Sequence, residues 1–163
     1  MTVDNSVQVL PVKERAEQIE RTFAKHGGES LRSRAFATLP EDVRLRLVSG
    51  ARLDPEEIVV VAIMLSDSSW VLLTTEHISW RDVSGTHSVR LLEVEDVLVD
   101  ETSMHSQGTS YWKYHVNRAV VTTKTGQSFT IETEPGRGCM AFVSTAKRAA
   151  GLRHGVRYIR GKS

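Results

Sequence analysis

The spacing of apolar residues changes near Leu53. Before it they recur every three or four positions, and after it every two. Val12, Ala16, Ile19 and Phe23 form one helical stripe, with Lys13, Glu14, Glu17, Glu20 and Arg21 largely outside it. Pro11 suits the first turn of that helix, and Gly27 with Gly28 ends it. Leu31, Ala35, Phe36 and Leu39 predict a second, shorter helix. A third starts near Pro40, with Glu41 and Asp42 in its first turn, where the helix dipole favours acids. Its apolar residues are Val43, Leu47 and Val48, and Gly50 stops it. Each of these helices is too short to persist alone in water. They are expected to pack on a sheet, on each other or on another chain.

From residue 53 onward the pattern predicts about seven strands. Residues 58–65 are an unbroken apolar run rich in β-branched side chains, the signature of a strand buried on both faces. Residues 66–69 form a turn cluster. In the next strand, residues 70–75, Trp70, Leu72 and Thr74 share one face, and Val71, Leu73 and Thr75 the other. A short strand follows at 77–81, carrying Ile78 and Trp80, and a loop at 82–85. Residues 89–94 and 97–100 read as one or two strands, although Glu93, Glu95 and Asp96 weaken the pattern. After a polar loop at 103–110, residues 111–123 predict a long strand with Trp112, Tyr114, Val116, Arg118, Val120 and Thr122 alternating. Thr125 and Gly126 turn the chain into a return strand at 127–133, where Phe129 and Ile131 share a face. A last helix spans about 138–150, with Cys139, Val143, Ala146 and Ala150 on one side and Gly151 as its stop.

The fold class is therefore α+β, with strands in hairpin succession giving an antiparallel barrel or sandwich closed by a C-terminal helix. The chain divides into a helical extension at 1–51, a β domain with its closing helix at 52–152, and a basic tail at 153–163. The WVLLTTEHISW segment, the TTKTGQSFTIE hairpin and the closing helix together resemble the pleckstrin-homology-like fold, in particular its bacterial branch. The resemblance covers about residues 53–151 and none of 1–50. It implies a binding role, since members of that fold bind lipids, peptides, partner proteins or copies of themselves. It does not single out one of these.

Composition and charge narrow the choice. The apolar run at 58–65 has eight residues, far short of the ~20 that cross a bilayer. The N-terminus lacks a basic start followed by an apolar stretch, so no signal peptide is expected. The single cysteine, Cys139, cannot form an internal disulfide and fits a reducing cytoplasm. The net charge of +1 conceals segregation. Residues 51–110 hold 3 basic and 11 acidic side chains, whereas residues 111–163 hold 10 basic and 2 acidic. Either the two segments neutralise each other within one fold, the simpler account, or they form opposed faces that steer a partner.

Catalytic signatures are missing. There is no Walker loop, Gly-x-Ser-x-Gly elbow or paired-carboxylate motif. The six histidines, His26, His77, His87, His105, His115 and His154, show no metal-motif spacing. His105 and His115 flank one loop, and a metal there would need a carboxylate such as Glu101. Cys139 beside Arg137 near a helix N-terminus has one setting of a reactive thiol, yet its place on the apolar stripe makes it a core residue. Gly136-Arg137-Gly138 has the backbone to hold an anion, but reads as an ordinary strand-to-helix turn. No catalytic residue, cofactor or metal ligand is assigned, and the chain is not expected to be an enzyme. An enzyme with an unrecognised site is the third reading.

The expected function is non-enzymatic binding to another protein, a basic one, through the carboxylates of residues 93–101: Glu93, Glu95, Asp96, Asp100 and Glu101. One specific form is a neutraliser of a partner, as toxin-immunity proteins are. The alternative is a lipid-binding or self-associating adaptor. The tail residues Arg153, Arg157, Arg160 and Lys162 are of the type that touches nucleic acid or an anionic membrane, but the acidic middle would repel both, so a solvated, partly disordered tail is expected.

Overall fold

The computed structural model describes residues 7–100 and 115–157. A short strand, β1 (Val7–Gln8), leads into α1 (Val12–Lys25). Ile19 and Phe23 are 1% and 2% exposed, as the stripe requires. The Gly28 N–H donates to the Phe23 carbonyl at 2.8 Å, and a Cβ there would stand only 2.6 Å from that oxygen. Gly28 is thus required by a close approach that ends α1.

No helix forms over residues 31–39. Ser33–Ala35 is a strand, β2, followed by a 3-10 turn at Phe36–Thr38. Leu31 is 89% exposed and takes no part in a stripe. The reason is tertiary. β2 pairs antiparallel with Val61–Ile63, while the Glu134 and Glu29 carboxylates accept the Ser33 and Ala35 N–H groups. These partners satisfy the backbone without a helix. α2 (Glu41–Gly50) forms as expected, with Pro40 immediately before its first residue and Leu47 buried.

The main sheet has the order β2-β3-β4-β5-β6, with β3 (Val59–Ser66), β4 (Ser69–Thr74), β5 (His77–Asp82) and β6 (Gly85–Arg90) joined as a meander. β3 is apolar from Val59 to Leu65 because both its faces are covered, and only the exposed Ser66 at its end is polar. Val61, Ile63, Val71 and Leu73 join a large core with α1 and the C-terminal helix. Ala62, Trp70 and Leu72 meet Leu39 and Leu47 on the opposite face. β6 starts earlier than its apolar residues indicate. The Asp82↔Gly85 register draws the polar Gly85–Ser88 segment into the ladder, with Gly85 at φ 123°.

A second antiparallel sheet comprises β7 (Val94–Val99), β8 (Arg118–Thr123) and β9 (Ser128–Glu132). β8 is shorter than the expected strand at 111–123, since residues 115–117 lie outside it, and Trp112 and Tyr114 lie outside the described residues. Among the described residues, seven strands thus lie between residues 59 and 132. They do not close into a barrel: among the described residues the two sheets share no strand pairing.

The last helix, α3 (Arg137–His154), packs on α1 and β7. Cys139, Val143, Ala146 and Ala150 are all buried, as their spacing predicts. Gly151 is not its stop. The helix continues for one more turn, buries Leu152, and ends at Gly155 with φ 88°. Beyond it, β10 (Val156–Arg157) pairs antiparallel with β1. Arg153 and His154 therefore belong to a helix. Among the described residues no helix is long and apolar enough to cross a membrane.

Candidate functional site

The expected acidic site falls on β7 and the 3-10 turn before it, Leu91–Glu93. Val94 and Val97 point into the core, leaving the intervening side chains outside. A bulge between Val94 and Asp96 keeps both Glu95 and Asp96 exposed, where regular alternation would bury one. Glu93 is exposed as well. Asp96 accepts the Val97 N–H at 2.8 Å and lies 3.8 Å from Lys147 Nζ on α3. Asp100 is half-buried, and its N–H donates to the Arg118 carbonyl. Glu101 lies outside the described residues. The sequence pattern did not single out the two leucines among these acids: Leu92 is 45% exposed and Leu98 50%. The face is thus mixed, with apolar side chains set between carboxylates.

A second polar feature lies at the β4–β5 turn. Glu76 receives Arg15 from α1 at 2.8 Å and Arg153 from α3 at 2.7 Å, one on each carboxylate oxygen. Arg15 is 6% exposed and also donates to the Thr75 and Leu10 carbonyls. Burial alone would push the Glu76 carboxyl up, but the hydrogen bonds and charges of the two arginines outweigh it and hold it below the usual carboxylate range. A carboxyl lowered on folding adds stability that is complete above its unfolded value, about 4.3, and is lost as pH falls through the folded one. Urea midpoints should therefore decline below about pH 4.5. Glu76→Gln should be weaker at neutral pH and show a flatter acid limb. An identical acid limb would assign the sensitivity to other groups.

Glu134 is held similarly. Burial opposes its charge, but Ser30 and Ser33 hydroxyls and the Arg32 and Ser33 N–H groups donate to it and lower its pKa. Its Oε2 would lie 3.1 Å from a Cβ on Gly138, so a carboxylate of the chain already occupies the space beside the Gly136-Arg137-Gly138 turn. Cys139 is fully buried, its thiol donates to the Arg118 carbonyl at 3.6 Å, and burial pushes its pKa up. That is the environment of a core thiol and not of a nucleophile. Trp70 and Trp80 are core residues, with Trp80 stacked on His87 at 5.4 Å. Asp82, Ser84 and His87 meet at the β5–β6 hairpin, but Ser84 Oγ and Asp82 Oδ1 both face the same nitrogen, Nε2, of His87. A catalytic triad needs the two ring nitrogens to serve separate partners.

One cluster is invisible in the sequence. Asp54, Glu57 and His77 place one potential ligand atom each within 4.8 Å of the others. Asp54 and Glu57 share one turn, and His77, twenty residues beyond Glu57, meets them because that turn before β3 abuts the start of β5.

Comparison of the chain with models of known protein families, with curated proteins and with solved structures finds no match.

Proposed function

We propose that this chain is a non-enzymatic protein-binding module and that the β7 face is its contact surface. The observation that carries this reading is the pairing of half-exposed Leu92 and Leu98 with exposed Glu93, Glu95 and Asp96. Apolar side chains supply contact energy when a partner covers them, and the surrounding carboxylates select a partner that is basic around an apolar anchor. The same carboxylates oppose an anionic membrane or nucleic acid at this face. Two antiparallel sheets followed by a closing helix agree with a pleckstrin-homology-like module of the binding kind. A neutraliser of a basic partner protein is the specific form we favour.

The test begins with affinity capture at low and high salt, followed by kinetics on the captured protein. Glu93→Gln, Glu95→Gln and Asp96→Asn together should leave the melting temperature nearly unchanged, because exposed ion pairs contribute only ~0–1 kcal/mol. Association should slow by about tenfold at low salt, and the loss should shrink as salt screens the steering. Leu98→Asp should weaken binding at every salt concentration. A triple variant that unfolds readily and binds normally once folded would make these carboxylates internal neutralisers.

A further inference from the structure

We propose that Asp54, Glu57 and His77 bind one divalent transition cation, with Zn2+ the best match. The three donors come from two turns locked together. The Glu57 N–H donates to the Asp54 carbonyl at 3.1 Å, which gathers both acids at the head of β3. Ile58 N–H donates to Thr75 Oγ1 at 3.1 Å, and Thr75 N–H returns a bond to the Ile58 carbonyl at 2.9 Å. Thr74 Oγ1 then accepts the His77 N–H at 2.8 Å and fixes the backbone from which the imidazole projects. Next door, Arg15 holds the Thr75 carbonyl at 2.7 Å.

Inside this frame the Glu57 side chain has no exposed surface. Among the described residues its hydrogen-bond partner is His77, whose Nδ1 faces both carboxylate oxygens, Oε2 at 3.2 Å. A carboxylate accepts up to about four hydrogen bonds, so this buried group retains unused ligand capacity. Ligands about 2.0–2.2 Å from a tetrahedral Zn2+ stand roughly 3.3–3.6 Å from one another. The observed spread is within 4.8 Å, so binding needs the His77–Glu57 pair to open to that separation and exposed Asp54 to swing onto the metal. Two carboxylates and one imidazole match Zn2+ or its neighbours better than Mg2+ or Ca2+, which favour oxygen ligands. Arg90 pairs with His77 across β5 and β6 and offsets one of the two negative charges. With a neutral imidazole the site still carries excess negative charge before metal enters. In the metal-free form Nδ1 of His77 faces Glu57, so a metal taken at that nitrogen replaces the hydrogen bond and leaves the neutral imidazole protonated at Nε2. Three protein ligands leave a fourth position, on the exposed Asp54 side, for water or a partner's side chain.

The experiment is calorimetric titration of the chelator-treated chain with ZnCl2, then with MgCl2, plus X-ray absorption at the zinc edge. We expect one Zn2+ per chain, a spectrum with one imidazole and oxygen ligands, and no comparable response to Mg2+. Asp54→Asn should weaken binding by about tenfold or more and leave metal-free melting unchanged, since Asp54 is exposed on a turn. His77→Gln should abolish binding. Asp54→Asn keeps the test decisive if His77→Gln fails to fold. Absence of saturable Zn2+ binding overturns the proposal. So does binding that Asp54→Asn does not weaken, or a spectrum with two or more imidazoles, because the metal would then sit at other histidines.

Discussion

Removing residues 1–50 should leave a chain that cannot remain a folded monomer. The deletion strips cover from both cores at once. Ile19 and Phe23 of α1 leave the large cluster, and Leu39 and Leu47 leave the smaller one on the opposite face of the sheet. Fully burying side chains of this size is worth about 1.5–3 kcal/mol each. Their sum approaches the 5–15 kcal/mol that keeps an ordinary domain folded. The edge strand β2 goes as well, leaving the outer edge of β3 unpaired and prone to association. Light scattering after size exclusion should show aggregates or dimers. A monomer with an unaltered melting curve would mean that these residues form an independent arm.

Phe142→Ala should destabilise the protein by about 3–5 kcal/mol, the range for buried aromatic truncation. Phe142 is 1% exposed and lies within the large core where α3 meets α1 and the sheets. Met140, two residues earlier, is 38% exposed, so Met140→Ala should stay within about 0.5 kcal/mol of the parent. Chemical denaturation of both variants measures the contrast. Equal effects would show that α3 does not pack through the face that Phe142 occupies.

The elements legible in the sequence are those whose own periodicity matches their surroundings. β3 and β4 were readable because one face of each meets α1 and α3 while the other meets α2, which leaves an unbroken apolar run in the first and two distinct faces in the second. α1 was readable because one stripe carries its buried contacts. Ser33–Ala35 misled because the β3 edge, the distant Glu134 carboxylate and the nearby Glu29 carboxylate decide its conformation. Gly85–Ser88 was hidden because a polar segment joins the ladder through hairpin register alone. The acidic candidates were visible as a local run, but the exposure of Leu92 and Leu98 depends on which side of β7 meets the core. Arg15 looks like any charge on an amphipathic helix, yet it is buried because Glu76, sixty-one residues away, awaits it. Asp54, Glu57 and His77 gave no signal, since their meeting is set by two turns and no fixed spacing.

The packing of α1 on α3 also has a bearing on the order of synthesis. α1 ends at Lys25 and α3 begins at Arg137, so the ribosome makes one helix long before its cover. At ~5–20 residues per second the stripe of Ile19 and Phe23 waits on the order of ten seconds for that partner. During the wait, β3 emerges as the strand most able to shield it, because α1 also contacts β3. Until α3 is made, β3 alone offers this apolar stripe cover, so the burial of Ile19 and Phe23 is completed only after both sheets have been synthesised.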